Sequence, residues 1–136
     1  MVTTGLLRRV ADAVERRDLS LIAPLFASDV SLYGSLSEKP VVGKDVVVSV
    51  FQMVATICTD IEYLDELSGP HGTVLFTRGL VGGERYEAFQ LLRMNDQGLI
   101  FELHDSLRPL SALTAFEHAV TNYLRQTRRP RGASER

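Results

Sequence analysis

A single cysteine, Cys58, is all the thiol chemistry in a chain of 136 residues. It cannot form an internal disulfide, and its place in an apolar, helix-like run reads as a buried structural thiol. A marked excess of either charge is also lacking, with 15 Lys and Arg against 17 Asp and Glu. The net charge is −2, so bulk electrostatics favours neither nucleic acid nor a membrane surface as a partner. No apolar run is long enough to span a bilayer. Arg8 and Arg9 follow the short apolar patch near the start, the reverse of the order in a secretory leader, so a cytoplasmic location is expected. His71, His104 and His118 are scattered, and none stands at metal-ligand spacing from Cys58. Gly-x-Ser-x-Gly, phosphate-loop and dinucleotide fingerprints are missing, and Gly82-Gly83 reads as a hairpin turn. No metal and no organic cofactor is expected.

What is present is an ordinary globular composition, 45% hydrophobic and 24% charged, sufficient for one core without staples. One domain is expected over residues 1–126, with 127–136 a basic, solvated tail; Arg125, Arg128, Arg129, Arg131 and Arg136 lack the stacking aromatics of a nucleic-acid site. Thr3 to Arg17 carries Leu6, Leu7, Val10, Ala13 and Val14 on a helical stripe. Asp18 can cap a brief, irregular helix bearing Ile22, Leu25 and Phe26. Val30 to Tyr33 alternates as a strand, Gly34 to Val42 reads as an exposed loop, and Gly43 to Thr59 as a valine-rich helix. Four strands follow in series: Asp60–Ser68, Thr73–Val81, Glu84–Met94, and one within Gly98–Pro109. Ser111 can cap a last helix running to about Gln126. Helices first and then a meander predict an α+β domain with helices packed on a curved, mostly antiparallel sheet.

The last strand, in GLIFELHDSLRP, carries the anomaly. Period-two alternation sets Leu99, Phe101, Leu103, Asp105 and Leu107 on one side and Ile100, Glu102 and His104 on the other. Asp105 is thus a carboxylate in register with large apolar neighbours, and such a group needs a cation, hydrogen bonds or a raised pKa. His104, adjacent to it, faces the opposite way. Alternation in the neighbouring strands groups Val74, Phe76, Arg78 and Leu80 on one side, and Tyr86, Ala88, Gln90, Leu92 and Met94 likewise. If both sides face inward, Arg78, Gln90 and Asp105 converge as the polar groups of an apolar wall. A plain buried Arg78–Asp105 ion pair is the non-catalytic alternative. Asp60 and Asp65 are expected in solvent, the alternative being that one of them is a second inner carboxylate, since alternation does not fix the phase of their strand. The other pocket candidates are Val10, Leu32, Phe51, Tyr63, Phe76, Tyr86, Leu103 and Leu107, with Tyr33 a further aromatic. Leu75, Thr77, Phe89 and Leu91 then form an outer face too apolar for water, which predicts a homodimer.

The string ADAVERRDLSLIAPLFASDVSLYG, then Pro40 and Gly43 opening a helix, then GLIFELHDSLRP, resembles the SnoaL-like and ketosteroid-isomerase-like proteins of the nuclear-transport-factor-2-like superfamily. The likeness runs from about Leu6 to Leu113. It implies a cone-shaped α+β barrel of cystatin-like type, with an apolar pocket between sheet and helices and a common tendency to dimerise. It also implies a cofactor-independent isomerase, cyclase or epoxide hydrolase acting on an apolar, polyketide-like small molecule. A non-catalytic dimeric binding module on the same fold is the alternative. The isomerase residues are missing: Val10, Gly34 and Gln90 stand where the resemblance implies a tyrosine and two aspartates. Asp105 falls where SnoaL-like cyclases carry their acid–base aspartate. Arg78 and Gln90 would orient the substrate or stabilise oxygen charge.

Overall fold

The computed structural model describes residues 5–128. Helix α1 (Leu6–Arg16) buries Leu6, Val10 and Ala13 and ends at Arg17, which takes a left-handed conformation at φ 56°. Its start is held from a distance, because the Leu7 N–H donates to Glu66 Oε1 at 3.0 Å. An acid at that end satisfies a donor the helix cannot. Asp18 caps as expected, its Oδ1 accepting from the Ser20 N–H at 3.2 Å. The helix it opens is only a pair of 3-10 turns, Leu19–Leu21 and Ala23–Leu25, because Pro24 removes a donor.

Strand β1 (Phe26–Tyr33) is longer than expected, and the loop after it contains a short strand β2 (Val41–Val42) before α2 (Lys44–Ile57). Cys58 belongs not to that helix but to the start of β3 (Cys58–Gly69), where it is buried. Then come β4 (Gly72–Val81), β5 (Glu84–Met94), β6 (Ile100–Arg108) and α3 (Leu110–Thr127). No side chain caps α3, so Ser111 does not have that role. The last residues of the expected tail, 129–136, lie outside the described residues.

The six strands form one sheet in the order β2-β1-β6-β5-β4-β3. All neighbours are antiparallel except β1 and β6, which pair in parallel. The meander of β3 to β6 was legible as local alternation. The parallel pair was not, since it joins residues some seventy positions apart (Leu32 with Leu103) and leaves no local signal. Breaks in register curve the sheet: β3 is bulged at two places against β4, with Asp60 in a left-handed conformation at φ 52°, and another irregularity separates Arg93 from Met94 opposite β6. Bulges bend strands and increase twist.

The helices cover the concave face and divide the core in two. One cluster joins α1, β1 and α2 to Leu75, Leu92, Ile100 and Leu103. The other joins Cys58, Val81, Tyr86 and Ala88 to Ala112 and Phe116 of α3. The seam between the clusters is where the sheet and helices fail to fill the space.

Candidate active site

Cross-strand register builds the site. Asp105 on β6 lies opposite Gln90 on β5, and Gln90 lies opposite Leu75 on β4. The next row runs Leu107, Ala88, Thr77 and Tyr63. Directly opposed residues share a face, so both rows point to the helices. Val50, Phe51 and Val54 of α2, Phe116 of α3 and Val14 of α1 form the roof, and Leu32, Cys58, Ile61, Tyr86 and Leu103 complete the walls. The enclosed space is ≈ 590 Å³ counted to the surrounding atoms, mouth included. It is narrow, with room at its free centre for roughly three waters.

Asp105 as a whole residue is half-buried, but its Oδ1 is sealed from solvent and has no hydrogen-bond partner among the described residues. Burial raises its pKa to about 6, opposed by a hydrogen bond from the Ser106 backbone N–H. Desolvation disfavours the charged form, and no cation among the described residues offsets it. The backbone around the carboxyl is fixed from the side: Ser35 Oγ donates to the Asp105 carbonyl at 3.0 Å and accepts from the Leu107 N–H at 3.1 Å.

The other polar groups in the cavity stay neutral. Burial, and then the Asp105 charge, hold the Tyr63 phenol above its usual range, while the Gln90 side chain favours the ionised form. Burial, and then Cys58, do the same for Tyr86. The Cys58 thiol is pushed up to about 11 by burial, against a hydrogen bond with Tyr86. Such a thiol is a packing group rather than a nucleophile. Thr77 donates its hydroxyl to the Glu62 carbonyl at 2.8 Å, so it stands in the wall already satisfied.

Three of the residues expected from sequence lie elsewhere. Arg78 is on the outer face, where its Nε pairs with Glu62 Oε1 at 3.0 Å and both side chains are more than half exposed. Phe76 is also outside, stacked on Phe89 with ring centroids 4.9 Å apart. Val10 is buried in the core, and it is Val14, one turn later, that reaches the cavity. Conversely, Leu75 and Thr77, expected outside, are buried on the inner face. The parity of β4 was reversed because both its faces are largely apolar. Gly82-Gly83 held the missing signal: a two-residue turn pairs Val81 with Glu84 and thereby sets Arg78 opposite Glu87. A second parity slip is at Phe101, which is exposed while Ile100 is buried, because the register breaks there.

Leu32, Phe51, Tyr63, Tyr86, Leu103 and Leu107 do line the cavity, together with Gln90 and Asp105. Asp60 and Asp65 are exposed. Tyr33 and His104 stack on each other at 4.6 Å, away from the cavity, and His104 Nε2 pairs with Glu102 Oε2 at 2.5 Å. Among the described residues, no group of three His, Cys, Asp or Glu side chains is placed to hold a metal. No helix there is long and apolar enough to cross a membrane.

An α+β sheet curved around an apolar cavity is the architecture of the nuclear-transport-factor-2-like, or cystatin-like, fold, and solved structures show this chain to have it. A steroid delta-isomerase from Pseudomonas aeruginosa superposes with TM-score 0.82 at 24% identity, over 93% of this chain and 96% of that one. A protein with a cystatin-like fold from Silicibacter pomeroyi DSS-3 gives TM-score 0.80 at 25% identity, over 86% and 83% of the two chains. A hypothetical protein with a ketosteroid-isomerase-like fold from Catenulispora acidiphila DSM 44928, solved in complex with trimethylamine, gives TM-score 0.66 at 15% identity, over 84% and 92%. No family model matches the sequence, and no curated protein does. The neighbours establish the fold, and the chemistry has to be argued from this chain's own cavity.

Proposed function

We propose that the protein is a cofactor-independent acid–base enzyme acting on a small apolar molecule, with Asp105 as its proton-transfer group. The observation that carries this reading is the Asp105 carboxyl, whose Oδ1 is buried, unpartnered and part of the cavity wall. A structural carboxylate would be paired, since an unpaired one costs stability. With a pKa near 6, it is mostly ionised at neutral pH yet holds a proton readily, as a base that must later return the proton requires. Tyr63 and Gln90 are neutral hydrogen-bond donors placed to polarise a substrate oxygen. Arg78 has no part in this, and a buried Arg78–Asp105 pair does not arise. Isomerisation, cyclisation and epoxide opening all fit a single proton-transfer group flanked by neutral donors. Asp105→Asn should keep the fold and lower turnover at least about a hundredfold. The substrate for that assay comes from a panel of apolar ketones and epoxides ranked by thermal stabilisation. The wild-type rate should rise through about pH 6, the value at which Asp105 ionises. Turnover that survives in Asp105→Asn would remove Asp105 from the reaction, and a wild-type protein that binds members of the panel without turning any of them over would favour a non-catalytic binding module.

We also propose that the outer sheet face pairs with a second copy of the chain. Phe76 and Phe89 stack at its centre, and Phe89 is 46% exposed. Six of its charges come as internal pairs, Arg78–Glu62, Arg108–Glu87 and Arg93–Glu102, which lowers the like-charge repulsion between two such faces meeting across a twofold axis.

A further inference from the structure

The cavity beside Asp105 has a continuation. A second space of ≈ 660 Å³, counted to its walls and including its opening, borders the same carboxyl. The two spaces share Leu32, Val50, Val54, Asp105 and Phe116, so Asp105 stands at their junction. One side of this outer lobe is the loop after β1, with Leu36 and Val41; the other is Met53 of α2 and Val120 of α3.

The two lobes differ in chemistry. Tyr63, Gln90 and Tyr86 all belong to the inner lobe. In the outer lobe Ser35 is already bonded to the β6 backbone, and Lys39 lies exposed at the rim. A ligand in the outer lobe therefore meets hydrocarbon almost throughout. The inner lobe alone is too narrow for a broad ring system, and a ligand confined to it would leave apolar walls wet beyond Asp105.

We propose that the ligand is an elongated, narrow apolar molecule with one oxygen function at its head. The head lies in the inner lobe against Tyr63 and Gln90, the reacting atoms lie at Asp105, and the hydrocarbon tail fills the outer lobe between the loop and α3. This rests on the acid–base reading of the same site and adds the shape and class of its substrate, with the outer lobe setting specificity.

A series of 2-alkanones tests it by calorimetry on the full chain. From about six to about fourteen carbons, each added methylene should tighten binding roughly fourfold as the tail becomes buried. Leu36→Trp and Val120→Trp should each fill the outer lobe, leaving the shortest ketones unaffected and abolishing the gain from the longer ones. Leu36 is 40% exposed on a loop, so its variant keeps the test usable if Val120→Trp does not fold. Equal length dependence in all three proteins, or none in the wild type, overturns the proposal. Failure of every ketone to bind also overturns it, whereas the acid–base reading stands or falls on the turnover of Asp105→Asn.

Discussion

Asp105 makes the folded protein less stable than it could be. Its carboxyl has a higher pKa folded, about 6, than the ordinary aspartate value of about 3.9 that it has in the unfolded chain. Between those values the folded state binds more protons than the unfolded one, so stability falls as pH rises through this window and stays lower above it. The difference corresponds to about 3 kcal/mol. Asp105→Asn should therefore be the more stable protein at pH 7 by about 1–3 kcal/mol, with the gain vanishing near pH 4, as urea unfolding at the two pH values can measure. A variant both sturdier and less active is the signature of a group retained for chemistry. A glue residue would show the reverse. Arg78 offers the contrast. Its pair with Glu62 is exposed, so Arg78→Ala should cost less than about 1 kcal/mol and leave turnover as it was.

Among the elements, the β4–β5 pair decides the shape of the inner lobe. Gly79 lies opposite Tyr86, and a Cβ added there would come within 2.7 Å of the phenol oxygen and 2.8 Å of Cε2. The missing side chain is the space the ring occupies. Gly79→Ala should drive Tyr86 toward the cavity, destabilise the fold by about 1–3 kcal/mol in urea titration and weaken binding of any inner-lobe ligand. The same two strands show what could be read from sequence. Alternation identified every strand of the meander, and on β5 and β6 it also placed Gln90, Leu103, Asp105 and Leu107 on the correct face. On β4 it could not choose between Leu75 and Thr77 on one side and Val74 and Phe76 on the other, because neither side is polar. Register, a property of two strands rather than one, was needed, and the glycine turn supplied it. Val14 was missed for a different reason. It shares a helical stripe with Val10, and only the tilt of α1 over the sheet decides which turn meets the cavity.

For the whole molecule, the outer sheet face carries the next test. Leu67 and Phe89 stand exposed on this face, with Phe76 stacked on Phe89, large apolar groups that a second copy of the chain would take out of water. Sedimentation at micromolar concentration should show a dimer, and Phe89→Glu should shift it to monomer with its helix content intact. A wild-type monomer would refute the pairing. The helices and the cavity lie on the opposite side of the sheet, so this interface leaves both lobes open to ligand.

The place of β6 between β1 and β5 has a consequence for how the molecule is born. As the chain leaves the ribosome, β1 with β2 and the β3–β5 meander emerge as two separate pieces, each with a raw, unpaired edge. Only the late-made strand can join them, and its parallel bond to β1 spans most of the chain, a slow kind of contact to form. Asp105 travels on that strand. The carboxyl thus leaves water in the same event that zips the sheet shut, and a nascent chain stalled before residue 100 would present two sticky edges and no cavity at all.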